Sequence, residues 1–223
     1  MSFKDEAIEG NNTTSGIKEF FSSPEAFYRF GAKILTKIIY RTKFIDMHNI
    51  PETGPAILVC NHISYMDGML IHTACPRPVK FIIDADIYKV PAVKYWMDYC
   101  GAIPISPNRK SVNEALDAVS EAMKNGELVC IFPEGYLTYT GNMIRFRFGV
   151  EWMVKRDNVQ VIPLAIKGLW GSIFSRKYIH SRFPWMPRSL FRKVTVKCGE
   201  AVPPEKAKVN HLQRVVMKLK GSI

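Results

Sequence analysis

The stretch Pro55-Ala56-Ile57-Leu58-Val59-Cys60-Asn61-His62-Ile63-Ser64-Tyr65-Met66-Asp67 decides how this chain is read. Ala56 to Cys60 form a short apolar run after the turn-rich Pro51-Glu52-Thr53-Gly54-Pro55, which predicts a buried strand. The chain then leaves that strand through polar residues, and strand-to-helix turns are where α/β folds often present reactive groups. A histidine accepts a proton near neutral pH without large tuning. A carboxylate on its far ring nitrogen would fix the tautomer and favour the imidazolium that forms. The separation of five positions from His62 to Asp67 allows a turn to bring the two together. The plainer alternative is a histidine that only caps the following helix.

Outward from this stretch, apolar runs alternate with helical stretches, the rhythm of an α/β domain. Strands are expected at 56–60, 79–84, 102–106, 128–132, 160–167 and 193–198. Ser111-Val112-Asn113-Glu114 has a capping-box pattern and predicts a helix to about Lys124, ended by Gly126; a last helix is expected over about 204–220. The expected fold class is α/β, with a central mixed or mostly parallel sheet flanked by helices and an N-terminal amphipathic helical segment. Residues 1–16 are polar and read as a mobile leader. Phe20, Phe27, Phe30, Ile34 and Ile38 recur near helical spacing among lysines and arginines, so 17–45 reads as an amphipathic membrane-associating segment. Residues 46–223 then make up the main domain.

The chain has 223 residues, 47% hydrophobic and 23% charged, which suits one globular core. Its net charge of +11 is concentrated late: residues 143–223 carry 17 Lys/Arg against 4 Asp/Glu. Anionic lipid and nucleic acid would both answer such a surplus. In Phe183-Pro184-Trp185-Met186-Pro187-Arg188-Ser189-Leu190-Phe191-Arg192-Lys193, cations alternate with large apolar side chains, which favours a bilayer interface; no zinc-finger or RNP-like pattern speaks for nucleic acid. No apolar run reaches 18 residues, so a spanning helix is not expected. The five cysteines form no Cys-x-x-Cys pair and no secretory leader is evident, so the reading is a peripheral protein on the cytoplasmic face of a membrane. The histidines are dispersed and no metal-ligand spacing occurs, so no metal or resident cofactor is expected.

Three further blocks bear on chemistry. Phe132-Pro133-Glu134-Gly135 closes the strongest apolar run and puts a carboxylate at a sheet edge near where His62 should emerge. Gly101-Ala102-Ile103-Pro104-Ile105-Ser106-Pro107-Asn108-Arg109 is a strand running into a loop with a cation, and Val161 to Ile166 is another apolar strand.

In this order and spacing, with Asn-His-x-x-x-x-Asp and Phe-Pro-Glu-Gly about 70 residues apart, the blocks resemble the glycerolipid acyltransferase superfamily over about residues 40–200. The resemblance implies that His62 takes the proton from an acceptor hydroxyl as it attacks an acyl thioester, and that Asp67 supports the ring. It further implies that Glu134 and Gly135 help bind a glycerophosphate acceptor, and that Arg109 binds its phosphate. Arg145-Phe146-Arg147-Phe148-Gly149 resembles the family's basic stretch before its next helix, where Arg145 and Arg147 could hold phosphate through their planar forks. The co-substrate implied is acyl-CoA or acyl carrier protein, and the acceptor 1-acyl-glycerol-3-phosphate or a related lysophospholipid.

The chain departs from the family at Leu137, where an arginine is common two positions after the glycine, and at Arg109, two residues later than usual. Tyr136-Leu137-Thr138-Tyr139-Thr140-Gly141 is instead similar to the acyltransferase domain of 2-acyl-glycerophosphoethanolamine acyltransferase/acyl-carrier-protein synthetases. Two alternatives stay open: a basic lipid-binding module on the same fold, and a lysophospholipid hydrolase. Against the hydrolase, no Gly-x-Ser-x-Gly nucleophile elbow occurs, and Ser64 is too near His62 to be activated by it comfortably.

Overall fold

The computed structural model describes residues 34, 36–172, 174–178 and 192–223. The expected leader 1–16, most of the segment 17–45 and the cationic-apolar stretch up to Phe191 lie outside the described residues.

Among the described residues, seven strands form one sheet: β1 (Tyr40–Ile45), β2 (Ala56–Cys60), β3 (Val79–Asp84), β4 (Ile103–Ile105), β5 (Leu128–Ile131), β6 (Val161–Lys167) and β7 (Arg192–Cys198). Their spatial order is β1-β7-β6-β2-β5-β3-β4, and every neighbouring pair is parallel except β6 with β7. The helices are α1 (Asp67–Ala74), α2 (Ala85–Tyr88), α3 (Pro91–Tyr99), α4 (Arg109–Lys124), α5 (Gly149–Asp157) and α6 (Val209–Gly221). This is the α/β class expected, with a mostly parallel sheet between helices.

Every residue of β2 is fully buried because the strand lies at the centre and is covered on both faces. The two-residue period of the strand divides the core. Ala56, Leu58 and Cys60 pack with Leu70 and Ile71 of α1, whereas Ile57 and Val59 pack with Val119 of α4, Val150 of α5 and Leu212 of α6.

Two local readings need correction. Residues Tyr40–Ile45, placed in the amphipathic helical segment, form the edge strand β1, paired in register with Arg192–Lys197. Tyr40, Thr42 and Phe44 alternate there with Arg41 and Lys43, a strand period. The helix expected to open at the Ser111 capping box opens at Arg109, because Asn108 is the cap: its Oδ1 accepts from the Ser111 N–H at 2.8 Å. The Ser111 hydroxyl accepts instead from the Ser106 N–H at 2.9 Å.

The one antiparallel pair matters for the site. β2, β5 and β6 run in the same direction, so their carboxyl ends share one edge of the sheet. Since β7 reverses against β6 and β1 follows β7, the beginnings of β7 and β1 come to that same edge.

Candidate active site

Asn61 sets the exit from β2. Its Nδ2 donates to the Ile166 carbonyl at 3.0 Å and its Oδ1 accepts from the Ile166 N–H at 2.8 Å. A side-chain amide thus continues the β2–β6 ladder by one rung, and the next residue, His62, leaves in a fixed direction.

Five residues on, the chain folds back onto Asp67, the first residue of α1, whose side chain is fully buried. Its Oδ2 accepts from the Ile63 N–H at 2.6 Å, from the Ser64 N–H at 2.9 Å, and meets His62 Nδ1 at 2.8 Å. With the carboxylate as acceptor, Nδ1 carries the proton and Nε2 holds the ring's free lone pair. Nε2 has no partner among the described residues, and the His62 side chain is 21% exposed. Phe132 stacks on the ring with centroids 4.2 Å apart and planes 15° from parallel. The imidazole is therefore held by one nitrogen and one face, with the other nitrogen available.

The Phe-Pro-Glu-Gly turn closes over the same residue. Glu134 is only 2% exposed; its Oε1 accepts from the His62 N–H at 2.7 Å and its Oε2 from the Ile144 N–H at 2.6 Å. Burial pushes the Glu134 carboxyl above the usual glutamate range, opposed by these two backbone donors and by the nearby positive charge of Lys220. The Thr138 N–H donates to the His62 carbonyl at 3.1 Å. Both backbone polar groups of His62 are thus taken by the second motif. Thr138 is itself buried: its hydroxyl donates to the Asn142 carbonyl at 2.7 Å and accepts from the Gly141 N–H at 3.0 Å, folding 138–142 into a tight loop.

Gly135 is required by its backbone, and Arg147 lies close against it. The Gly135 φ of +74° is one that side chains rarely adopt, and a Cβ there would lie 2.8 Å from Arg147 Nε. The Arg147 N–H donates to the Pro133 carbonyl at 2.8 Å, and its guanidinium lies 4.7 Å from the Tyr136 ring centroid. The position two residues after Gly135 is Leu137, a core residue 3% exposed. The cation over this turn comes from Arg147 instead. Arg145 is exposed on the same loop.

The structure brings His62, Asp67, Glu134, Gly135 and Arg147 into one cluster. Arg109 is different: it is exposed, at the start of α4 beyond the edge strand β4, and β5 and β3 stand between β4 and β2. Asn61, Phe132 and Thr138 were not singled out for a role from the sequence. Asn61 adjoins the histidine, and Thr138 belongs to the Thr-Tyr-Thr-Gly segment, so their identities were visible but their partners were not.

Among the described residues, neither Ser64 nor any cysteine is built as a nucleophile. Ser64 is fully buried, and its Oγ accepts from the Met66 N–H at 3.3 Å. The five cysteines are buried and free; burial drives the Cys60 and Cys130 thiols well above their ordinary range and the Cys198 thiol to about 12.

Residues 41–167 match the family described as Acyltransferase. A chloroplastic 1-acyl-sn-glycerol-3-phosphate acyltransferase of Arabidopsis thaliana is 28% identical over 150 residues, 64% of this chain and 41% of that protein. A 1-acyl-sn-glycerol-3-phosphate acyltransferase of Borreliella burgdorferi is 31% identical over 125 residues, 53% of this chain and 48% of that protein. The chain spans somewhat under half the length of these relatives. The crystal structure of the lysophosphatidic acid acyltransferase PlsC from Thermotoga maritima superposes with a TM-score of 0.66 at 21% identity, covering 94% of this chain and 86% of that one, a likeness of fold. With the family match spanning both the His62 turn and the Glu134 turn on a shared sheet edge, the chain belongs to the acyltransferase family, in the glycerolipid acyltransferase superfamily.

Proposed function

We propose that this protein transfers a fatty acyl group from a thioester to the free hydroxyl of 1-acyl-glycerol-3-phosphate or a related lysophospholipid, with His62 as general base. The observation that carries the reading is the state of His62: Nδ1 meets the buried Asp67 carboxylate at 2.8 Å while Nε2 is unpartnered on a partly exposed ring. The acceptor hydroxyl gives its proton to Nε2 as its oxygen attacks the thioester carbonyl. The tetrahedral intermediate then breaks its C–S bond, and the imidazolium returns the proton to the departing thiolate. No acyl-enzyme is formed, in keeping with the buried Ser64 and the high thiol pKa values.

Glu134 serves acceptor binding through placement, since its two oxygens already hold the backbones of His62 and Ile144. Arg147 and Arg145, on the loop beside it, are the cations for the acceptor phosphate; Arg147 lies over the turn that carries Leu137 in place of the family's common arginine. Arg109 takes a more distant part of an anionic substrate. The donor is acyl-CoA or acyl carrier protein, and no cofactor takes part.

The reaction takes place on the cytoplasmic face of a membrane with the protein attached peripherally. In support, Tyr65, Tyr136, Tyr139 and Phe148 are each at least half exposed on loops of this edge, interleaved with Arg145, Arg147 and Arg176. No helix among the described residues is long and apolar enough to cross a membrane. The partners are lipid and acyl donor, and nucleic acid is not among them.

The test offers labelled acyl-CoA and acyl carrier protein in turn, against a panel of lysophospholipids, to purified protein and to His62→Ala. Transfer that depends on His62 supports the reading and identifies donor and acceptor. Vesicle binding without transfer to any acceptor would leave a lipid-binding module, and release of free fatty acid alone would leave a hydrolase.

A further inference from the structure

Among the described residues, three buried polar atoms on the Asp67 side of the site make no well-formed hydrogen bond: Asp67 Oδ1, the Tyr40 hydroxyl and the Ser172 hydroxyl. All three residues are 1% exposed or less. Leaving one such atom dry is costly, and three in a single region point to a shared arrangement.

The topology brings the three residues to one edge of the sheet. Tyr40 begins β1, opposite Arg192, and the reversal of β7 against β6 brings that end of β1 to the edge where His62 emerges. The guanidinium Nε of Arg192 donates to the Gly168 carbonyl at 2.8 Å, joining this end to the loop after β6. That loop is pinned to the histidine turn on its other side, through the Ser64–Ser175 bridge and the Tyr65 N–H donating to the Phe174 carbonyl at 3.2 Å. Ser172 lies between these attachments, with its N–H donating to the Leu169 carbonyl. Tyr40, Ile63, Met66 and Leu169 share one core cluster. Burial raises the Tyr40 phenol, hydrogen bonding toward the Ser172 side chain lowers it, the Asp67 carboxylate raises it and the Arg192 guanidinium lowers it, in keeping with this placement.

We propose that Tyr40 and Ser172 are positioning residues for the catalytic dyad, their hydroxyls joined to Asp67 Oδ1 through one enclosed water. A buried water usually makes about three hydrogen bonds, which is the number of atoms presented here. With Oδ2 occupied by His62, Ile63 and Ser64, this link engages the other oxygen, fixes the rotation of the carboxylate and draws charge away from Oδ2. His62 is thereby oriented. The inference rests on the proposed role of His62.

The experiment compares wild type, Tyr40→Phe, Ser172→Ala and the double variant, each checked by thermal unfolding. Acyl transfer to a lysophosphatidate is followed across pH, and the His62 ring is titrated by NMR, its signal identified by its loss in His62→Ala. Tyr40→Phe keeps the packed ring and removes only the hydroxyl. It should lower kcat roughly tenfold with KM for the lysolipid unchanged. It should also move the His62 titration and the acid limb of kcat/KM to higher pH by about half a unit or more, as charge returns to Oδ2. Ser172→Ala should shift both in the same direction, and the double variant should lose less than the product of the single losses. An unchanged His62 titration in folded Tyr40→Phe and Ser172→Ala overturns the link, as does a loss confined to KM. Absence of transfer by the wild type with the titration shifts intact would sink the acyltransfer reading and leave the link standing.

Discussion

The backbone N–H of His62 donates to Glu134 Oε1 at 2.7 Å across 72 residues of sequence, so the second motif holds the main chain from which the histidine projects. The same carboxylate holds the Ile144 N–H at 2.6 Å, which ties the basic 144–148 loop to the histidine turn. The general base and the cations proposed for the acceptor phosphate therefore share one buried anchor.

Glu134→Gln offers one carbonyl oxygen where two backbone donors need acceptors, and its amide would face one of those N–H groups. Stability should fall by about 1–3 kcal/mol, measured by urea unfolding, with transfer reduced as well. Because burial raises the Glu134 carboxyl in the folded state, the folded protein binds its proton more readily than the unfolded chain. Its contribution is thus most favourable below the ordinary value of 4.5 and declines as pH rises through the folded pKa. The stability difference between wild type and Glu134→Gln should narrow over that interval; a difference that widens contradicts the assignment.

His62→Ala should reduce turnover by roughly 10²–10⁴-fold while the unfolding temperature stays near wild type, because the ring is partly exposed and the Asp67 Oδ2 that loses Nδ1 keeps the Ile63 and Ser64 N–H donors. Asp67→Asn keeps the volume but must satisfy two backbone N–H groups and His62 Nδ1 with a single oxygen. Here activity and stability should fall together, the latter by about 1–3 kcal/mol.

Gly135→Ala combines an unfavourable φ with a collision at Arg147 Nε. The backbone conformation alone should cost about 1–2 kcal/mol. If Arg147 binds acceptor phosphate, its displacement should raise KM for the lysolipid, and Arg147→Ala should reproduce that rise without the loss of stability. Equal KM values in both variants and wild type would remove Arg147 from acceptor binding.

Asn61→Leu fills similar space but abandons both groups of Ile166. A loss of about 1–3 kcal/mol for each orphaned group is expected in denaturant unfolding, with turnover falling as the exit of His62 from β2 loosens. Asn61→Asp can still accept from the Ile166 N–H and should retain part of the stability.

Much of this arrangement could be read from local sequence, and the reason is distance along the chain. The apolar run 56–60 could only be buried, and a five-residue turn is short enough for Asp67 to meet His62 without help from elsewhere. The other central strands announced themselves in the same way, through apolar runs of the right length. Strand β1 did not, because Tyr40–Ile45 continues a helical-looking basic stretch, and its pairing partner lies some 150 residues away on β7. Asn108 capped α4 ahead of the serine pattern because the side chain that first reaches a free N–H wins.

What the sequence by itself determined was the set of chemical groups, their grouping into blocks and the α/β rhythm that brings blocks to strand ends. Tertiary structure alone decided which groups face each other. It turned Glu134 inward onto two backbone amides, put Arg147 over Gly135, left Arg109 beyond the edge strand, and carried the start of β1 to the edge where His62 emerges by reversing a single strand. Such outcomes depend on strand order and on which polar atoms lose their water, and neither is contained in the spacing of residues along a chain.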